Sequence, residues 1–496
     1  MNLTRAFKVA VDAHPTKTAV YWGNAEYSYR AIYDQSLSVA ERLIQDYSIK
    51  PGDRVGIWLR NRPEFIPALF GILYAGAVAV PINNFLKPME VGFIVADAGI
   101  NVLITESEFA TAVQATSAHV PELSNRQLFR VEEWAGAPSP KLKLEVPEVS
   151  ETDLALIIYT SGTTGKPKGA MLTHGNLLHN VNSCKQALGA LDQDRFALML
   201  PMFHSFMLCV CVFLPLLVGA AIVLIKSLHP ARAALQELIV RQATLLPAIP
   251  QFFRALADIP FPEESRLRLC VSGAAPLPVK VLQDFMHHHK LPLLEGYGLS
   301  EASPVVALNP IHGPWKEGSI GPPIPDVEVT IQDETGRFLP AGETGELCVR
   351  GGNVMRGYWN QPQATAEAFR NGWLLTGDIG RMDANGCLYI TDRKKDMLLV
   401  NGNNVYPREI EETLLHFPGV AEVAVVGQPD PRKGETPVAF LVACEGSALT
   451  EKALAHYARK KLADYKVPRR FHFLPALPRN ATGKVLKTEL RGLWHG

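Results

Sequence analysis

The chain of 496 residues has no charge surplus, because 49 basic side chains balance 49 acidic ones. Proteins that bind nucleic acid or anionic membranes usually carry a basic excess or stripe, so neither class is expected. Cysteine is scarce and scattered, seven in all with no C-x-x-C pair, which argues against a disulfide or zinc framework. The thiols read as small core residues in a reducing compartment, and a cytoplasmic location is expected. No fixed-period repeat, low-complexity tract or long like-charge run is present, which disfavours a solenoid or a disordered chain. Met1 to Val11 lacks the apolar core of an export signal. One apolar run stands out: Phe206 to Ile225 is twenty residues without a charge, long enough to span a bilayer. Pro215 and Gly219 interrupt it. A buried helix end, a turn and a strand at Ala220 to Ile225 are expected there, with at most peripheral membrane contact.

What is present exceeds one hydrophobic core, so at least two domains are expected. Thr18 to Trp22 and Tyr27 to Tyr29 flank Gly23-Asn24 as a hairpin, and a helix follows through Leu37, Ala40, Leu43 and Ile44. Strand Val55 to Leu59, a helix through Phe65, Leu69 and Leu73, and strand Ala77 to Ile82 make a βαβ unit of a parallel sheet. The rhythm recurs at Val102 to Thr105, Leu154 to Thr160, Phe196 to Leu200, Leu245 to Ala248 and Leu267 to Ser272. From about Gly318 short strands take over, at Val327 to Ile331, Gly345 to Arg350, Trp373 to Thr376 and Cys387 to Thr391, which suggests a small β-barrel or distorted sheet. After the charged run Asp392 to Asp396 a compact α+β unit is expected, with helices at Pro407 to His416 and Thr450 to Leu462 and strands at Val420 to Gly427 and Val438 to Ala443.

The stretch that organises the chain is Leu156-Ile157-Ile158-Tyr159-Thr160-Ser161-Gly162-Thr163-Thr164-Gly165-Lys166-Pro167-Lys168-Gly169. An apolar strand runs here into a loop in which glycines free the backbone to aim amides at an anion, hydroxyls add donors, and Lys166 and Lys168 add charge. The spacing is not G-x4-G-K-[ST], which disfavours a phosphate-transferring P-loop ATPase. A solvated linker is the plain alternative, but a linker does not directly follow a buried strand. The run resembles the phosphate loop of the adenylate-forming superfamily, which contains acyl- and aryl-CoA synthetases, luciferases and peptide-synthetase adenylation domains.

Later motifs extend the resemblance. Glu295-Gly296-Tyr297-Gly298-Leu299-Ser300-Glu301 follows a strand end and aims Glu301 toward the phosphates, where one carboxylate suits Mg²⁺. The family implies Glu301 as the Mg²⁺ residue with Thr160, Tyr297 beside the adenine, and the motif as part of the nucleotide site. Ser272-Gly273-Ala274-Ala275-Pro276 has small residues that admit a flat ring, and the family places Gly273, Ala274 and Ala275 between adenine and acyl group. Asp378 of Thr376-Gly377-Asp378 and Arg393 of Asp392-Arg393 resemble the ribose-contacting pair. Read alone, Lys484 of Asn480-Ala481-Thr482-Gly483-Lys484 is a solvated lysine. In the family it is the catalytic lysine that neutralises charge as the carboxylate attacks the α-phosphate. A lone His204 is more often structural, but the resemblance puts it at the acyl–pantetheine junction, as a gate or a general base. His287-His288-His289 at a helix end reads as solvated C-cap charge rather than metal.

The resemblance thus implies an α/β fold: a large N-terminal domain of βαβ-type sheets plus a small β-barrel, residues 1–394, and a small mobile α+β domain, residues 395–496. Lys395 matches the hinge, and rotation would exchange Lys484 for the segment around Gly402, past which pantetheine passes. The implied reaction joins a carboxylic acid to CoA, consuming ATP with Mg²⁺ through an acyl-adenylate. Residues 293–491 look most like bacterial medium- and long-chain fatty acyl-CoA synthetases. Ser300 replaces a usual Thr, and Asn401 stands where relatives often have Ser or Lys. The acyl pocket is expected along Phe206 to Cys211, Pro247 to Phe253, Gly273 to Ala275 and Ser303 to Val306, apolar stretches that favour a fatty acid over a malonate-like one. An aryl-CoA ligase, or a fatty acyl-AMP ligase or acyl-carrier-protein synthetase, is the alternative, with acyl carrier protein as the other thiol acceptor. A monomer or homodimer is expected.

Overall fold

The computed structural model describes residues 1–116, 127–134, 147–160, 167–227, 230–257, 259–313, 315–430, 434–479 and 484–493. Two large sheets carry most of the chain. The first has eight strands in the order Val305–Leu308, Leu293–Gly298, Leu269–Ser272, Leu245–Ala248, Arg195–Leu198, Ala221–Leu224, Thr18–Trp22 and Ala25–Ser28. Its interior pairings are parallel and its outermost pair at each end is antiparallel. The second has seven, in the order Gly357–Tyr358, Lys168–Thr173, Leu154–Thr160, Val78–Pro81, Arg54–Trp58, Val102–Thr105 and Gln127–Arg130. Lys168–Thr173 runs antiparallel to both its neighbours, and the remaining pairs are parallel.

Strands such as Val102–Thr105 and Leu245–Ala248 are buried at every position, as continuous apolar runs in a parallel sheet must be. Helix Phe65–Tyr74 is likewise buried all round and belongs to the interior of one core shared by both sheets. The uncharged run from Phe206 joins that core. It forms a helical turn at Ser205–Met207, a π-helical stretch at Leu208–Phe213, a helix at Leu214–Val218 and strand Ala221–Leu224. Pro215 occupies the opening turn of the last helix, where its missing N–H costs least, and Gly219 ends it at φ 84°. No helix among the described residues is long and apolar enough to cross a membrane.

The short strands after Gly318 form a five-stranded antiparallel sheet. Val327–Gln332, Thr344–Gly351, Trp373–Met382 and Phe369–Arg370 lie in that order, and Leu388–Arg393 also pairs with Trp373–Met382. No pairing among the described residues closes it, so the distorted sheet is found rather than the barrel. A fourth sheet orders Asn403–Val405, Leu398–Val400, Gly434–Ala443 and Val420–Asp430, with Arg470–Phe473 parallel to Gly434–Ala443. Ile410 and Leu414 of helix Pro407–Leu415, and Leu454 and Ala458 of helix Glu451–Lys461, stand four residues apart and cover one face. Leu490 of helix Lys487–Gly492 closes the other face against Val426 and Phe440. These apolar clusters are separate from the main core. His287 and His288 are exposed as expected, whereas His289 stacks on Phe261 at 4.2 Å because it lies on the inner face of helix Val279–His289.

Candidate active site

Thr160 ends strand Leu154–Thr160 and lies opposite Lys168, which begins the next strand. The loop they bracket therefore leaves and re-enters the sheet at one point. Its expected phosphate-binding residues, Ser161, Gly162, Thr163, Thr164 and Gly165, with Lys166, lie outside the described residues.

Glu301 meets the loop's edge from the other large sheet. Strand Leu293–Gly298 delivers it, and Gly298 permits the sharp return, since a Cβ there would collide with the Pro304 carbonyl. Glu301 then sits in the single 3-10 turn Ser300–Ala302. Its Oε1 accepts from the Tyr358 hydroxyl at 2.9 Å and from Thr160 Oγ1 at 3.4 Å. Lys168 Nζ lies 5.2 Å over the Tyr358 ring. Both hydrogen bonds fall on Oε1, so among the described residues Oε2 is the oxygen left to a cation. No group of three His, Cys, Asp or Glu gathers among them either. One carboxylate with a hydroxyl beside a phosphate loop fits Mg²⁺, which takes one or two carboxylates and completes its shell with phosphate oxygens and water.

Asp378 lies across from Arg393 where strands Trp373–Met382 and Leu388–Arg393 pair. Arg393 Nε forms an ion pair with Asp378 Oδ1 at 2.9 Å, and the Tyr297 hydroxyl donates to Oδ2 at 2.5 Å. The Asp378 side chain is 3% exposed. Its backbone N–H donates to Thr376 Oγ1 at 3.1 Å, which fixes the turn at Gly377. Burial and then the Asp378 charge push the Tyr297 hydroxyl well above its usual range, and Asp378 likewise holds Arg393 up. Tyr297 thus stays a neutral donor.

Lys484 joins this group from the far end of the chain. Burial first, then the like charges of Arg393 and Lys395, lower its ammonium to about 8 against the pull of Asp378 and Asp396. The expected catalytic lysine thus lies within electrostatic reach of the expected ribose pair and of the exposed Lys395. Gly402 does not join them. With Asn401 (φ 51°) it forms the exposed tip, φ 78°, of the hairpin between Leu398–Val400 and Asn403–Val405.

On the other side, Gly273 follows strand Leu269–Ser272 and donates its N–H to the Ala248 carbonyl at 3.0 Å. The Phe206 ring lies against it, with ring carbons 3.0 and 3.1 Å from where a Cβ would be. Ala274 is exposed with φ 65° and Ala275 half-buried beyond it. Gly296 lies against Leu308, 3.1 Å from the site of a Cβ. The buried Glu295 carboxylate accepts the Leu277 N–H at 2.9 Å, which ties down this loop. Burial raises the Glu295 carboxyl to about 7, although Arg408 pulls the other way.

Ser300 Oγ lies 3.0 Å from Ser205 Oγ, so the Glu301 turn is tied to the segment holding His204. His204 Nδ1 accepts the Phe206 N–H at 3.3 Å. The neutral ring then carries its proton on Nε2. Burial lowers it to about 4, so it is neutral at pH 7 and a weak base. Tyr358, Ser205 and Arg408 were not foreseen. Tyr358 lies on a two-residue strand, too short for periodicity to reveal, and meets Glu301 only through the fold.

A family model described as AMP-binding enzyme matches residues 7–359, and one described as AMP-binding enzyme C-terminal domain matches residues 409–484. The chain is 34% identical to a long-chain-fatty-acid–CoA ligase of Bacillus subtilis, over 96% of this chain and 91% of that one. It is 36% identical to a feruloyl-CoA synthase of an Amycolatopsis species, over 96% of each. Among solved structures, ATP-bound MatB from Rhodopseudomonas palustris superposes with a TM-score of 0.92 at 31% identity, over 99% of both chains. The apo form of MatB, equally identical and equally covered, gives only 0.80, so arrangement rather than sequence separates the two comparisons.

Proposed function

The chain belongs to the AMP-binding enzyme family, and from that premise we propose that it is an ATP-dependent, AMP-forming acyl-CoA synthetase. A carboxylate oxygen attacks the α-phosphorus of ATP and pyrophosphate leaves, giving an acyl-adenylate. The sulfur of CoA then attacks the acyl carbon and AMP leaves. The observation that carries this reading is the convergence of Lys484 on Asp378 and Arg393, while Glu301 and Thr160 meet beside the phosphate loop.

In this reading Asp378 accepts the ribose hydroxyls, and Tyr297 and Arg393 hold its carboxylate in place. Lys484, as an ammonium, neutralises the charge that builds on the phosphate as the acid attacks. Glu301 and Thr160 would hold Mg²⁺, which would offset charge on the phosphates. His204, neutral and adjoining the Phe206–Gly273 contact, lines the entry for the thiol and gates it. The Ser300–Ser205 link couples that entry to the Glu301 turn.

Two half-reactions need two linings of one cleft. We assign residues 1–394 and 395–496 to two domains that rotate about Lys395, in keeping with the separate core of the fourth sheet. The closer fit to the ATP-bound than to the apo neighbour supports the adenylate-forming arrangement here. Rotation would withdraw Lys484 and bring the Gly402 hairpin to the cleft.

The acid is proposed to be a medium- or long-chain fatty acid. The fatty acid ligase relative and the buried apolar run Met207 to Cys211 support it. An aryl acid is the second reading, favoured by the feruloyl-CoA synthase relative and by the Phe206 ring that lies against Gly273. A soluble cytoplasmic enzyme, monomeric or homodimeric, using CoA in preference to a carrier protein, completes the proposal. Acid-dependent ATP–pyrophosphate exchange across fatty, aromatic and dicarboxylic acids, repeated with CoA to detect thioester, tests it. A clear preference for malonate would overturn the substrate assignment.

A further inference from the structure

Helix Pro250–Leu256, which follows strand Leu245–Ala248 of the first large sheet, presents Gln251 and Arg254 one turn apart on a single face. Arg254 reaches across to strand Val420–Asp430. Its Nη1 donates to the Ala421 carbonyl at 2.8 Å and its Nη2 to Glu422 Oε1 at 2.5 Å. The other carboxylate oxygen, Oε2, accepts from Arg479 Nη2 at 2.6 Å. Gln251, with its amide turned so that the oxygen faces the guanidinium, accepts from Arg479 Nε at 2.6 Å and Nη2 at 3.1 Å. The four side chains close a ring between the helix and the fourth sheet. Glu422 is only 14% exposed, so the ring is less screened than an ordinary surface pair. The two arginines hold its carboxyl below the usual range against the effect of burial.

Arg479 also sets the position of Lys484. It forms an isolated antiparallel bridge with Val485, and the Leu486 N–H donates to the Pro478 carbonyl at 2.9 Å. Lys484 therefore stands at the start of a returning arm whose outgoing arm is pinned through Arg479. If Arg479 leaves Gln251 and Glu422 leaves Arg254, the arm that carries Lys484 loses its anchor on helix Pro250–Leu256.

We propose that Gln251, Arg254, Glu422 and Arg479 are positioning residues, a latch that seats Lys484 beside Asp378 and Arg393 for acyl-adenylate formation and opens before the thiol step. The proposal rests on the two-step acyl-CoA synthetase reading. It adds to that reading the contact whose breakage releases the second step.

Arg254→Ala, Glu422→Ala and the double variant are compared with the unaltered protein in two assays, ATP–pyrophosphate exchange and thioester formation from supplied acyl-adenylate and CoA. The latch predicts that exchange kcat falls about tenfold in each single variant, with KM for ATP unchanged and the double variant no worse than either single. Thioester formation stays equal or becomes faster. Arg254→Lys, which keeps the charge but loses the fork, recovers part of the exchange rate. Thermal melting shows that each variant folds, and if one does not, the other carries the comparison. Unaltered exchange in both single variants, or equal loss in both half-reactions, overturns the latch. An unaltered protein that supports no exchange with any acid refutes the synthetase reading and the latch together, which is a distinguishable result.

Discussion

The Tyr297 hydroxyl stands 2.5 Å from Asp378 Oδ2, so a strand of the first large sheet and a strand of the antiparallel sheet share one carboxylate. Arg393 holds the other oxygen at 2.9 Å. Asp378→Asn keeps the shape and removes the charge that Arg393 needs. A hydrogen bond to a charged group is worth about 1.5–3 kcal/mol, so KM for ATP should rise about tenfold to a hundredfold. The KM for the acid should change little. Steady-state kinetics with each substrate varied in turn checks this, and a rise confined to the acid would count against the ribose assignment.

In the proposed mechanism Lys484 acts as an ammonium, and its environment sets it at about 8. The kcat/KM for adenylation should therefore decline above pH 8, since that parameter reports the free enzyme. Thioester formation from supplied adenylate should lack this limb. Lys484→Ala should abolish exchange and spare the second step. The sign for stability is opposite to that for activity. A lysine lowered from 10.5 to about 8 binds fewer protons folded than unfolded between those values, so its penalty is fully present below pH 8 and relieved as pH rises toward 10.5. Paired pH profiles of the two half-reactions provide the measurement.

Glu295 is raised from 4.5 to about 7 by burial. It binds more protons folded than unfolded between those values, so the protein loses stability as pH rises from about 4.5 through 7. The loss is on the order of 3 kcal/mol at most. Glu295→Gln can still accept the Leu277 N–H and does not titrate. Melting temperatures of the two proteins should diverge between pH 5 and pH 8, the variant being relatively more stable at the higher value. Parallel curves would remove the linkage.

On the proposed reading of Glu301 as a Mg²⁺ ligand, Glu301→Gln should raise the Mg²⁺ concentration needed for half-maximal exchange about tenfold or more, because the variant lacks that carboxylate. Tyr358→Phe, which removes only the donor to Oε1, should shift the same titration in the same direction by less. Exchange rates measured against Mg²⁺ at saturating ATP decide the matter, and identical titrations for all three proteins would be the contrary outcome.

Much of the sheet framework was legible because apolar runs bounded by turn residues leave little choice of state. Thr18–Trp22, Val102–Thr105, Leu154–Thr160 and Leu245–Ala248 begin and end where the sequence predicts. Trp373–Met382 runs past the expected end at Thr376, because Gly377, at φ 71°, kinks the strand without ending it. Tyr29 begins a helix instead of ending a strand, since Ser28 accepts the Ala31 N–H and caps it. The site was legible only where short motifs place residues a few positions apart. Arg254 and Glu422 are 168 positions apart and Tyr358 and Glu301 are 57 apart. Such pairings follow from how sheets pack and leave no local periodicity to read.

The Glu295 carboxylate carries both the loop that borders Gly273 and a charge that faces Arg408 in the C-terminal part of the chain. With the acid bound along Gly273, as proposed, one protonation equilibrium would enter two others, affinity for the acid and seating of helix Pro407–Leu415. By reciprocity, an acid whose binding perturbs Glu295 must also bias where that helix rests, and to the same extent in free energy. Selectivity and the timing of rotation would then be two readings of a single coupled equilibrium.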